Sequence, residues 1–248
     1  MNEVPGGWDP GKGIKLQGNE YPVANYVQAI PGNVTIIDNF LSEVDCDSII
    51  EFMKSAPRME PVSVQGGKEI MDYRIGSVRT TMWNTEIAEE LWKLFKRYDL
   101  NFVKSCGDFT LTDWWQHGEH KHWKTCAISP MIRYMKYQLG GQHYAHYDAG
   151  YIYPDTNYRS LMSIVLYLTT NKTGCTRFIA DGKTGHISTR NHDDWDREVK
   201  PEEVLLSVPP QKGRLILFDH RMCHDVSPYD GAEGDRIIIR GDLIFKAI

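Results

Sequence analysis

Two histidines and one aspartate have the types and the order to hold a metal. In HYAHYDAGY (143–151), His146 and Asp148 stand two residues apart. On a strand alternate side chains share a face, so both project to the same side. An imidazole and a carboxylate facing one way either ligate a metal or meet solvent. A third ligand is on offer in LILFDHRMCHDVSPY, where an apolar run delivers His220 and His224 to a turn. Two neutral imidazoles and a carboxylate on one face of an ion, with the opposite positions open, is the non-haem iron arrangement. H-x-D alone is a weak signal. The weight lies in the ordered set: H-x-D, a later strand-end His224, then GDRIIIRGDL with Arg236 and Arg240 on one strand face. A buried arginine can clamp a carboxylate through two parallel charge-assisted bonds.

These residues need a scaffold of strands. From Met131 onward the chain reads as short β-segments parted by Gly, Pro, Asn and Asp: MIRYMKYQL, HYAHYD, SLMSIVLYLT, CTRFIA, VLLSVPP, GRLILFD and RIIIRGDLIF. Such spacing predicts an antiparallel sandwich or barrel. Upstream, NVTIIDNF reads as a buried strand. Ser42 then caps a helix with Ile49, Ile50 and Met53 at helical spacing, and NTEIAEELWKLFKRYDL places Ile87, Leu91, Leu94 and Phe95 on one stripe. Residues 1–30, rich in Gly, Pro and Asn, read as an N-terminal arm, and 31–248 as a single domain with its β-core at about 131–247. The polar stretch 181–203 reads as an insertion or lid.

Composition narrows the class. The chain has 248 residues, a net charge of −5 and no basic stripe, which argues against nucleic-acid binding. Its five cysteines are odd in number and never form C-x-x-C, as expected of reduced thiols. The N-terminus has no apolar core of signal-peptide length, and no run is long enough to span a membrane, so a soluble, cytoplasmic protein is expected. His117, His120 and His122 lack the carboxylate or cysteine framework of a second metal site, so this Trp- and His-rich stretch reads as a surface or lid segment. Trp83, Trp114, Trp115 and Trp123 either line a substrate groove or pack. His143 and His220 are bystanders or partners of the ligand rings.

Over about residues 131–247 the sequence resembles the prolyl 4-hydroxylase-like branch of the iron(II)- and 2-oxoglutarate-dependent dioxygenases. RYMKYQLGGQHYAHYD is similar to the stretch in which Tyr, then Gly, precedes H-x-D. In RSLMSIVLYLTTNKTGCTRF, Arg159, Tyr167, Gly174, Thr176 and Phe178 follow the family pattern, with Cys175 in place of its second glycine. His224, Val226 and Pro228 follow the distal-histidine pattern. The resemblance implies a mostly β fold with flanking helices (α+β). Its core would be a double-stranded β-helix of jelly-roll or cupin type, with N-terminal helices packed on one sheet. It implies iron(II) on His146, Asp148 and His224. Tyr137 and Arg236, with Arg240 as the fallback, would contact 2-oxoglutarate. Dioxygen is then consumed, with ascorbate as an optional reductant. A C–H bond is hydroxylated, on a prolyl, peptidyl or free amino-acid substrate, with release of succinate and CO2. The partner is a peptide or small molecule, with no nucleic acid or membrane. Two other readings use the same residues: a zinc-dependent hydrolase, and a non-catalytic jelly-roll binding protein. The acidic run NHDDWDREVKPEE is either a lure for a cationic substrate or a solvated loop.

Overall fold

The structure is a computed structural model. It describes residues 14–17, 26–56, 59–61, 63–64, 69–70, 74–98, 100, 103–105, 122–151, 153, 156–180 and 198–248. Most of the N-terminal arm, the segment containing Trp114, Trp115, His117 and His120, and positions 181–197 of the insertion lie outside these residues.

The chain opens with β1 (Tyr26–Ile30), β2 (Val34–Ile37) and α1 (Glu43–Met53). The short strands β3 (Glu60–Pro61), β4 (Ser63–Val64) and β5 (Glu69–Ile70) precede β6 (Arg74–Trp83) and α2 (Thr85–Phe95). Then come β7 (Val103–Ser105), β8 (His122–Ile128), β9 (Met131–His146), β10 (Tyr158–Tyr167) and β11 (Thr176–Ile179). The last four are β12 (Val204–Val208), β13 (Leu215–Asp219), β14 (His224–Val226) and β15 (Arg236–Ala247). Both helices start where side-chain oxygens satisfy exposed amides: Ser42 Oγ accepts from Asp45 N and Asn84 Oδ1 from Ile87 N.

Among the described residues, thirteen strands form one sheet in the order β1-β2-β13-β10-β15-β9-β14-β11-β12, with β3, β6, β7 and β8 attached at its sides. Every pairing among the described strands is antiparallel. This nearly closed antiparallel sheet has the build of a jelly-roll-like core, mostly β with few helices.

The central strands are buried on both faces, which is why they read as near-continuous apolar runs. Alternate residues feed two apolar clusters. Ile132 and Tyr134 of β9, Ile164 and Leu166 of β10, and Ile239 of β15 join one that also holds Ile49 and Met53 of α1 and Ile87, Leu91, Leu94 and Phe95 of α2. Their neighbours Met135, Tyr137, Val165, Tyr167 and Ile238 join the other, with Phe178 and Phe218. The site lies against this second cluster.

β9 changes partners along its length. Residues 133–137 pair with β15, whereas His143 and His146 pair with β14. The switch falls at Gly140–Gly141, opposite Gly76 of β6, where the β6–β9 register also shifts. A methyl on Gly141 would sit 2.7 Å from Gln138 O, and one on Gly76 would sit 2.9 Å from Gly141 Cα. Only glycines fit back to back at this bend.

Candidate metal centre and co-substrate cavity

β9 ends at His146, Asp148 follows after one residue, and β14 begins at His224, which pairs with His146. One ligand atom from each of His146, Asp148 and His224 lies within 4.8 Å of the others. Asp148 is 3.9 Å from His146 Nε2 through Oδ1 and 3.7 Å from His224 Nε2 through Oδ2. The other ring nitrogens are engaged by backbone: His146 Nδ1 donates to Tyr144 O at 2.8 Å and His224 Nδ1 to Met222 O at 3.0 Å. A carbonyl only accepts, so each Nδ1 carries the proton and each Nε2 keeps its lone pair for the shared point. Burial pushes the His224 imidazole below its usual value, keeping it neutral. Two lone-pair nitrogens and a carboxylate converging at this spacing fit a divalent transition metal.

The carboxylate is held from behind. Ser163 Oγ donates to Asp148 Oδ2 at 2.5 Å. Arg240 forks the same group, with NH2 2.6 Å from Oδ1 and Nε 3.3 Å from Oδ2. Burial alone would raise the Asp148 carboxyl; the Arg240 charge holds it well below the usual carboxylate range. Behind Arg240 lies Asp242, which meets His220 Nε2 at 3.2 Å and Arg133 NH1 at 3.4 Å. His220 therefore serves this second carboxylate rather than a ligand ring. His143 stacks on His146, with ring centroids 3.5 Å apart.

Arg236, four residues before Arg240 on β15, is placed quite differently. It is fully buried, and its Nε and NH1 have no hydrogen-bond partner. NH2 reaches Thr176 Oγ1 only at 3.5 Å. Its guanidinium lies 4.5 Å from the Tyr137 ring centroid and 5.4 Å from that of Tyr167, held between two aromatic faces. Room for its stem comes from Gly174, at φ +72°, where a Cβ would stand 2.8 Å from Arg236 Cδ. A buried cation with idle donors is costly unless an anion completes it. A cavity of about 240 Å³ provides the space, lined by Tyr137, Thr176 and Arg236 and by all three candidate ligands, His146, Asp148 and His224.

Sequence reasoning found His146, Asp148, His224, Tyr137, Arg236 and Arg240, and all six line this one cavity. It left Arg236 and Arg240 as alternatives. The geometry separates them, since Arg240 is spent on Asp148 and Arg236 is not. Trp123, one of the groove candidates, is buried under the Arg159 guanidinium and belongs to the core. Arg79 and Arg133 also line the cavity and were not read from sequence. The alternation of SVRTTM in β6 and of MIRYMKY in β9 was the available signal. Among the described residues no glutamate lines the cavity to act as the base of a zinc hydrolase.

Residues 132–241 match the family model of the 2OG-Fe(II) oxygenase superfamily. No curated protein sequence matches the chain. Among solved structures, the fold is similar to a Trichoplax adhaerens prolyl hydroxylase in complex with a hypoxia inducible factor oxygen degradation domain peptide fragment. That pair shows 16% identity and a TM-score of 0.50, over 90% of this chain and 87% of the other. The viral collagen prolyl hydroxylase of Paramecium Bursaria Chlorella virus-1 in its 2OG complex gives 15% identity and a TM-score of 0.47, over 89% and 100%. A Pseudomonas putida prolyl-4-hydroxylase gives 15% and 0.48, over 87% and 93%. The match covers 110 of the 248 residues and contains His146, Asp148, His224 and Arg236, and it supports an oxygenase with iron(II) and 2-oxoglutarate as cofactors.

Proposed function

We propose that the chain hydroxylates an unactivated C–H bond of an amino-acid or prolyl/peptidyl substrate, with iron(II) on His146, Asp148 and His224 and 2-oxoglutarate on Arg236. The observation that carries the co-substrate role is the buried Arg236 guanidinium with two idle donor nitrogens in the same cavity as the three ligands. Iron(II) and 2-oxoglutarate supply, with dioxygen, the oxidising power for hydroxylation, and succinate and CO2 leave as products. The protein's own work is positional. Tyr144 O and Met222 O fix the ligand tautomers, and Ser163 and Arg240 keep Asp148 ionised and still. Tyr137 and Tyr167 hold the Arg236 plane, with Thr176 beside it, and its fork would take the far carboxylate of the co-substrate.

The shared cluster of α1, α2 and strand residues supports the reading that the helices pack on one sheet of a single oxygenase domain. Cys46, Cys126, Cys175 and Cys223 are free thiols, which supports a reducing, cytoplasmic setting. No helix among the described residues is long and apolar enough to cross a membrane.

The test is succinate formation from 2-oxoglutarate with iron(II), ascorbate and oxygen, with pools of proline-rich peptides and free amino acids, beside anaerobic 2-oxoglutarate binding. Turnover should depend on iron and vanish in His146→Ala. Arg236→Ala should weaken 2-oxoglutarate binding by about thirtyfold or more, as expected when a buried charge pair loses one partner. Undiminished binding in Arg236→Ala would remove the anchor role.

A further inference from the structure

The antiparallel register lines up three strands above the cavity. Across β6, β9 and β15 the rows run Ser77–Tyr137–Arg236, Arg79–Met135–Ile238 and Thr81–Arg133–Arg240. Residues two apart on a strand share a face, and Arg79, Arg133, Arg236 and Arg240 all line the cavity. At one end of this lattice stands Arg236 alone. At the other, Arg133 is directly opposite Arg240, and Arg79 is diagonal to Arg133, at about 7–8 Å by sheet geometry. Like charges directly opposed across strands destabilise a sheet. A cluster of this kind needs anions to compensate it.

Among the described residues, the carboxylates nearest Arg133 are largely committed elsewhere. Asp148 is taken by Arg240 and Ser163. Asp242 is shared between His220 at 3.2 Å, Arg133 at 3.4 Å and Arg240 at 3.9 Å. Arg133 thus has one long contact to a carboxylate, and its NH2 meets only the Met131 thioether, at 4.0 Å. The two ends also differ in access: Arg236 is sealed at 0% exposure, whereas the Arg133 side chain is 18% exposed and Arg79 is half-buried. The sealed end suits a co-substrate carboxylate, and the open end an arriving molecule.

We propose that Arg133, with Arg79 diagonal to it, heads a second anion subsite, which takes the free carboxylate of the substrate to be hydroxylated. That substrate is then a small carboxylate such as an amino acid, rather than an internal residue of a polypeptide. The inference rests on the oxygenase reading above, with Arg236 as the co-substrate anchor. A planar carboxylate seated on the Arg133 fork would share the cavity with His146, Asp148 and His224, bringing the adjoining carbons beside the metal centre. The subsite gives orientation, and it discriminates against an amide in the same place, which leaves the guanidinium uncompensated.

Matched probes test this: the twenty free L-amino acids with their amides, and N-acetyl-L-proline with N-acetyl-L-prolinamide. Each is titrated anaerobically into the iron- and 2-oxoglutarate-loaded protein and assayed for stimulated succinate formation. At least one carboxylate should bind about tenfold or more tightly than its amide, the worth of one charge-assisted hydrogen bond. Arg133→Gln and Arg79→Gln should shrink that ratio towards one by weakening the carboxylate member, and Arg133→Lys should restore part of it. Equal binding of carboxylate and amide overturns the proposal, as does stimulation confined to internal peptide residues or failure of every carboxylate to bind. Loss of 2-oxoglutarate affinity in Arg133→Gln would reassign that arginine to the co-substrate. Failure of the oxygenase reading shows separately, as unaltered 2-oxoglutarate binding in Arg236→Ala.

Discussion

Arg236 and Arg240 are the same residue type on the same face of β15, and burial with or without a partner gives them opposite energetics. Replacing a buried charge that lacks compensation by an apolar residue of similar volume is neutral or stabilising. Arg236→Met should therefore leave the thermal midpoint of the metal- and co-substrate-free protein equal or higher while abolishing 2-oxoglutarate binding, as calorimetry with and without ligand would show. Arg240→Met removes one side of a buried pair and should cost about 3 kcal/mol or more. The same change moves the acid limit. Burial opposes ionisation of Asp148 and Asp242, but Arg240 keeps both carboxyls below their ordinary 3.8, so their contribution is present above that value and fades as pH falls through the folded pKa. Without Arg240 those folded values rise, and acid unfolding, followed by circular dichroism, should shift to higher pH. Gly174 belongs to the same balance. Gly174→Ala combines a left-handed backbone with a methyl pressed on Arg236 Cδ, and should destabilise by about 1–2 kcal/mol while weakening 2-oxoglutarate binding.

At the scale of elements, the decisive piece is β9, whose first half carries Arg133 and Tyr137 and whose second half carries His143 and His146. The bend at Gly140–Gly141 lets one strand serve two partners. Gly141→Val should disturb the junction with Gly76 and lower both metal affinity and stability, measured by metal titration and thermal melting. α1 and α2 were legible because caps and apolar spacing are local: Ser42 and Asn84 stand where the pattern begins. Removing the cap with Asn84→Ala should cost about 1 kcal/mol without touching the site. β6 was not read as a strand. Its RIGSVRTTMW carries a glycine at the register shift, and nothing local marks its pairing with residues some sixty positions downstream. Arg79 stayed hidden for that reason.

For the molecule as a whole, the sequence exposed what depends on order and spacing and concealed what depends on closure. H-x-D, the distal His224 and the late arginines could be read because each sits at a recognisable turn or strand end. The different partnering of Arg236 and Arg240 could not, since it depends on where the chain beyond β9 brings Asp148 after the sheet has wrapped. The Arg240–Asp148 pair has a consequence for supply. Because the guanidinium already compensates the ligand carboxylate, the emptied pocket does not have to unfold, and an entering cation gains less than it would from a bare carboxylate. Metal loading then behaves as a reversible exchange rather than a folding event. Treatment with a chelator should leave the melting curve cooperative, and re-added iron(II) should restore turnover without refolding. Starved of iron, such a protein waits as an intact reserve, and the availability of the ion, more than synthesis of the chain, sets how much oxygenase is at work.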